Sequence, residues 1–496
     1  MEATVKRIFT LFLALLMLFP LLTACMTSED SPKQTTGGDT EPLDTADPFD
    51  HGIEKTDYKE RTFRIMCPWP DHWGKDSYNV EEDSGDSVVS AIYKRNREVE
   101  AYFNITIESF TEGSTGSTAA DLQPLVVSNE DKIDLVTVGF YQSGKPLILQ
   151  DLVLPWNYVE SINLEKDWWN KNITDTLAIL DQYYYLVGDV NWFYMPETAV
   201  CYFNKVVADK YEAKVGDLYQ TVRDNEWTYD RCFALGKEIS ADNGDGKWDE
   251  NDQYCAIQNR ICGTMGFIYS ADYQTVIMKD DGPNMNVMTE KLNTILRKAG
   301  EFVAQNHNSY LDIYDFASES KGIPIFFDNR ALFLFDLLIH ASDFRSEESD
   351  FDIIPYPKYD DKQTEYTTFA NQWSLSCAMP VTASDTTRTG NILEVMSALS
   401  RKYVVPAYYE KTLMGKIKRD DESEEMLNII FQNIIYDFGV CYGIGSVPNF
   451  LIDEGGTGLS NWYRRNESKI YGNAWDLYAH VYKTVNGEEP EKPANR

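Results

Sequence analysis

The chain is 496 residues long and carries Lys+Arg 45 against Asp+Glu 79, a formal net charge of -34 at pH 7. That excess repels phosphate backbones and anionic surfaces, which argues against nucleic acid as a partner and disfavours polyanionic ligands. At this length one hydrophobic core does not suffice, and two lobes of ordinary domain size are expected.

At the start, Lys6 and Arg7 precede an apolar run from Ile8 to Leu22 that Pro20 interrupts. It is shorter than the roughly 20 residues of a membrane span, so residues 1–24 read as a signal peptide. The run ends in Leu22-Thr23-Ala24-Cys25, which resembles the lipobox of bacterial lipoproteins. The resemblance implies that Cys25 becomes the first mature residue and carries a diacylglycerol, whose two acyl chains anchor the protein to the extracytoplasmic face of the cell membrane. Thr, Ser, Asp, Glu, Pro and Gly then dominate to Asp50, so residues 25–55 are expected to be a lipidated flexible tether with a reach of about 25–30 Å.

The first lobe opens with a strand, Thr62 to Met66, and a loop bearing Trp69 and Trp73. An amphipathic helix, Asp86 to Phe103, follows, with Val88, Val89, Ile92, Val99 and Phe103 on one side. A strand (Ile105 to Phe110), a helix (Ala119 to Ser128) and a buried strand (Ile133 to Val138) complete a parallel α/β unit. Ligands of open sheets are met at the carboxyl ends of strands, which places Trp69, Trp73, Phe140 and Tyr141 on the expected side.

Tyr183 to Asn204 is the stretch on which the reading turns. An apolar strand end (Tyr185, Leu186, Val187) meets a Gly188-Asp189 turn, then Trp192, Phe193, Tyr194 and Pro196, then a second strand, Thr198 to Phe203. Strands on either side of a Gly/Asp/Pro break suit a hinge crossing between lobes, with its aromatics as the cleft floor. Trp192 and Tyr194 are candidate ligand residues, as is Trp373 after Asn371-Gln372. Trp168-Trp169 reads as a structural plug. Flat rings match the C–H face of a pyranose while Asp, Asn, Gln and Arg bond its hydroxyls, and the chain has Trp 11, Tyr 31 and Phe 24.

In the second lobe a helix, Thr228 to Ser240, leads into ADNGDGKWDEND. With Gly246 at the sixth position of a calcium loop, Asn243, Asp245, the Lys247 carbonyl, Asp249 and Asp252 take the ligand positions, but Ala241 stands where the template wants a carboxylate. A structural Ca²⁺ and a solvated acidic turn both fit; no cofactor is required. Ile323 to Phe335 reads as a strand and helix start returning to the first lobe. A strand at Phe351 to Ile354 follows, then helices at Asn391 to Tyr403, Pro406 to Ile417 and Asp421 to Ile435. The cysteines other than Cys25 sit in apolar contexts and read as small buried hydrophobes.

No G-x-S-x-G, G-x-x-x-x-G-K-[ST], H-E-x-x-H or G-x-G-x-x-G occurs. The enzyme class these absences leave open is a glycoside hydrolase, which needs only two carboxylates; a surface glycan-binding adhesin is the other alternative.

The order and spacing of IDLVTVG, LVLPWNYV, DWWNK, YYLVGDVNW, CYFNKVVADKY, NEWTYD, GIPIFFDNRALFLF and FDIIPYPKYDDKQTEYTT resemble those of a solute-binding lipoprotein of an ABC importer, family 1, oligosaccharide-binding type. The resemblance implies a class II, two-lobe periplasmic-binding-protein-like α/β fold, each lobe a mainly parallel sheet flanked by helices, with a hinge between. Lobe 1 is expected from residues 56–190 and 323–378, and lobe 2 from 195–322 and 379–496. It further implies a monomeric, non-enzymatic protein that captures a carbohydrate in the inter-lobe cleft and delivers it to the transmembrane subunits of an ABC permease.

Overall fold

Strand β1 (Arg61–Cys67) shows how the first sheet is made: Phe63, Ile65 and Cys67 point into one core while Met66 points into another, the period-two alternation of a strand covered on both faces. It pairs in parallel with β2 (Ile105–Thr111) along its length and with β3 (Leu135–Gly139). These coordinates are a computed structural model that describes residues 47–71, 74–112, 117–129, 131–259, 262–312, 320–346, 349–371, 374–413, 421–445 and 458–492. The expected leader, Cys25 and most of the tether lie outside these residues, as do Trp73 and Trp373.

Helix α1 (Ser87–Phe103) joins β1 to β2. Asp86 caps it by accepting from the Val88 and Val89 amides, and Asn104 ends it in the left-handed region. Helices α2 (Thr118–Ser128) and α3 (Phe140–Leu149) flank β3, and a short strand, β4 (Val153–Leu154), follows. The chain then crosses to a second sheet built from β5 (Ala199–Asn204), β6 (Tyr254–Asn259), β7 (Ser309–Asp312), β8 (Ala331–Leu337) and β9 (Phe351–Ile354), with helix α4 (Tyr229–Ile239) between β5 and β6. Its order is β9-β5-β8-β6-β7, with β8, β6 and β7 parallel and β5 antiparallel to both neighbours.

β10 (Leu375–Pro380) returns to the first sheet and lies antiparallel between β3 and β4, giving the order β2-β1-β3-β10-β4. Helix α5 (Thr386–Leu399) stays with that lobe, burying Ile392, Leu393 and Met396 against it. Helix α6 (Val405–Leu413) lies against α1, α7 (Asp421–Gln432) packs on β9, and α8 (Leu459–Asn486) packs against α3.

Two expectations about lobe membership are corrected. Residues 323–378 were expected in lobe 1, yet β8 and β9 belong to the second sheet, where Phe333 packs on Trp227 (5.3 Å between ring centroids) and Phe335 on Phe267 and Tyr356 (5.0 and 4.9 Å). Residues 379–496 were expected in lobe 2, but α5 is fixed to lobe 1 by its apolar face and by Arg388, whose guanidinium pairs with Asp134 just before β3. The order within 323–335 is also the reverse of that expected: a short helix, Gly322–Phe327, precedes the strand.

Cys67, Cys201, Cys232, Cys255, Cys377 and Cys441 are buried and free, as their apolar contexts imply, and burial pushes the Cys67 and Cys377 thiols up to about 12. Trp168 and Trp169 are buried, and both indole N–H groups donate to Glu394, at 3.0 and 2.8 Å, which makes the pair a plug between the crossing and α5.

Candidate ligand cleft at the crossings

Leu186 and Cys377 exchange backbone hydrogen bonds of 3.0 and 2.9 Å, so the first crossing leaves from the first sheet through a single bridge, not the strand expected there. At Gly188 a Cβ would come within 2.5 Å of the Trp168 carbonyl oxygen and the Trp169 ring; only glycine fits beneath the plug. Asp189–Tyr194 forms a 3₁₀ turn interrupted at Asn191 (φ -91, ψ 32), and Thr198 then bridges to Ala370 as β5 begins. Ala370 lies on the second crossing, which leads back to β10. A third connection passes through α6 and α7 and runs on to Ile434–Ile435, which pairs in parallel with Thr368–Phe369.

A cleft of about 1030 Å³ opens beside these crossings. The lobe 1 wall is Lys75, Asp76 and the start of α1; the floor is Trp192, Phe193 and Pro196; Leu338 and Ile339, just after β8, form the lobe 2 wall. Trp192 is fixed by its indole N–H, which donates to the Ser77 carbonyl at 3.2 Å, and by the Tyr408 ring at 5.7 Å. Asp86 and Lys411 meet at 2.7 Å across the mouth. Partial burial pushes the Asp86 carboxyl up, but Lys411 and the Val88 and Val89 amides outweigh it and hold the group below the usual range.

Polar groups are buried where the crossings meet. Glu197, at the end of the first crossing, is fully buried, and its carboxylate has the Asn371 side chain as hydrogen-bonding neighbour but no closely held partner among the described residues. Burial pushes it up to about 8; nearby Asn371 and His340 pull the other way and Asp336 adds to the rise. The Asn371 backbone amide donates to the Glu197 carbonyl at 2.9 Å, and His340 Nδ1 lies 3.1 Å from the Asp336 carboxylate. The Ser374 and Tyr436 hydroxyls, from the second and third connections, are buried beside Glu197 and face each other. None of the three lines the cleft, so together they form a polar knot enclosed beneath the crossings.

No family model matches the sequence, and no curated protein does. Solved structures do. A cyclo/maltodextrin-binding protein complexed with maltotetraose aligns over 88% of this chain and 100% of its own with a TM-score of 0.52 at 9% identity. A sugar transporter from Rhizobium etli in an open conformation gives 0.53 at 14% identity over 85% and 98%. The galacto-N-biose-/lacto-N-biose I-binding protein of an ABC transporter from Bifidobacterium longum, in complex with lacto-N-biose, gives 0.50 at 11% identity over 87% and 99%. The chain has the two-lobe binding-protein fold.

Within that fold the sequence-selected residues part company. Trp192 lines the large cleft, but Tyr194 lines a different cavity. Trp69 lies at the carboxyl end of β1 with its ring over Gly139, where a Cβ would come within 2.5 Å of it. Tyr141 stands in the first turn of α3. Glu197, Asp336, His340, Ser374 and Tyr436 were not selected. Glu197 and Asp336 had a signal: each is a lone charge in a largely apolar run, MPETAV and LFLFDLL, where burial of an acid has to serve something.

The proposed calcium loop is held by its own amides. Asp252, fully buried, accepts from the Asn243 and Asp249 amides at 2.8 and 2.7 Å, Asn243 from Asp245 at 3.0 Å, and Asp245 from Lys247 at 2.8 Å. No three His, Cys, Asp or Glu groups converge for a metal among the described residues. The loop is thus pre-formed by its own amides, with the second Asp245 oxygen and the Lys247 carbonyl left to solvent or a cation.

Proposed function

We propose that this protein is the substrate-binding component of an ABC importer, capturing a carbohydrate of oligosaccharide size between its lobes and releasing it unaltered to a membrane permease. The observation that carries the reading is the cleft of about 1030 Å³ at the crossings, floored by Trp192 and Phe193, walled by both lobes and lined with polar side chains that include Asp76, Asn79, Glu81 and Glu82. Sugar hydroxyls would bond these polar side chains while a ring face packs on the aromatic floor, and a ligand that touches both lobes favours the closed arrangement by its difference in affinity for the two. Two structural neighbours, in complex with maltotetraose and lacto-N-biose, hold ligands of the same class. The Leu-Thr-Ala-Cys25 sequence supports a lipid anchor on the extracytoplasmic face, with the folded part acting as a monomer.

A thermal-shift screen against neutral oligosaccharides tests this: a ligand at 100 times its Kd adds about 2.7 kcal/mol to stability. Recovery of the oligosaccharide intact after incubation is expected; shorter products would point to a glycoside hydrolase. Repeating the screen with a chelator is expected to leave the unliganded melting temperature unchanged.

A further inference from the structure

A second cavity, of about 360 Å³, shares a wall with the large cleft. Consecutive residues divide between the two: Pro196 and Tyr408 line the larger, Met195 and Tyr409 the smaller. We propose that the smaller cavity is a separate binding site for a neutral, monosaccharide-sized polyol, built at the junction of both lobes and distinct from the oligosaccharide cleft.

Its chemistry supports that ligand class. Trp169, Tyr194, Tyr409 and Phe431 supply apolar planes, the last two edge to face at 5.3 Å. Asp189 supplies a carboxyl that is 3% exposed yet held only by long contacts, 3.4 Å from the Tyr194 hydroxyl and 3.5 Å from Arg401 Nη1. Burial pushes this carboxyl up to about 7, against the pull of Arg401 and Tyr194, so it can accept from or donate to a sugar hydroxyl. Asn428 and Gln432, one turn apart on α7, bring two amides to the rim, and neither side chain is hydrogen-bonded among the described residues. Arg401 and Lys171 offset Asp189 and Asp167, which leaves a locally balanced site that gives a charged ligand no advantage. The volume falls within the roughly 300–1,000 Å³ of small-molecule sites.

The experiment is a titration of the full chain with D-glucose, D-galactose and N-acetyl-D-glucosamine, followed by ligand-observed NMR and calorimetry. It is run on the wild type, on Trp192→Phe in the large cleft, and on the double variant Asn428→Ala/Gln432→Ala, whose exposed amides can be removed with the melting temperature held. One of the sugars is expected to saturate the wild type and Trp192→Phe alike, and to bind the double variant at least tenfold more weakly. The proposal is overturned if none of the three saturates, if the double variant binds as the wild type does, or if Trp192→Phe alone abolishes binding. Failure of the oligosaccharide screen with this pattern intact would remove the importer reading and leave the second site standing.

Discussion

The lobe interiors and the crossings treat buried acid differently. Inside the lobes, Asp134 is paired with Arg64 and Arg388. Asp352 receives Lys205 at 2.9 Å and Ser423 at 2.9 Å, and Asp437 receives the Thr275 amide at 2.7 Å and the Val440 amide at 2.9 Å. At the crossings the buried Glu197 carboxylate has no closely held partner and no cation paired with it among the described residues, only the Asn371 side chain and His340 nearby. Where an acid holds the scaffold together its bonds are closed; where the lobes meet they are left open. Local departures from polar satisfaction of this kind concentrate at functional sites.

The contrast is easiest to break at Asp134. Asp134→Ala would strand the 1%-exposed Arg388 guanidinium without its anion, and a loss of about 3–5 kcal/mol in urea unfolding is expected. Glu197→Gln should do the opposite, leaving stability in urea unfolding unchanged or raised, since it removes a buried charge that no cation balances. If both variants lost stability equally, the distinction between the regions would disappear.

Acidity sharpens the same comparison. Glu197 titrates near 4.5 when unfolded and at about 8 when folded, so its protonated form favours the native state below 4.5 and that contribution is lost as the pH rises to about 8. Unfolding free energy is expected to fall across this window by at most about 1.4 kcal/mol per pH unit from this group, and Glu197→Gln should flatten the slope. Glu394 and Asp189, each raised to about 7 by burial, add to the fall and would remain in the variant. The smallest effect is at the cleft mouth, where Lys411→Ala removes a half-exposed ion pair with Asp86 and should cost about 0–1 kcal/mol by thermal melting.

The sequence made the first lobe's strand-helix-strand order legible because β1, α1 and β2 each carry a clear period, and Phe351–Ile354 stands out between an acidic flank and Pro355. Lobe membership was not legible from pattern. β8 is buried along its whole length, as is β10, and a strand covered on both faces looks the same whichever sheet receives it. Within the site, Trp192 was legible as an aromatic at a break between strands. Tyr194 was read into the same cleft because the stretch looked extended; in a 3₁₀ turn, at about 120° per residue, side chains two positions apart face different ways, and Tyr194 lines the smaller cavity.

The placement of β10 also bears on how a nascent chain matures. Every strand of the second sheet lies between residues 199 and 354, whereas the first sheet needs a strand from 375–380 inserted between β3 and β4. The ribosome therefore delivers all of the second lobe's pairing partners before the one that completes the first. Until then the edges of β3 and β4 are unmatched and open to wrong partners, which makes that interval the stage at which aggregation threatens and a holding chaperone would matter.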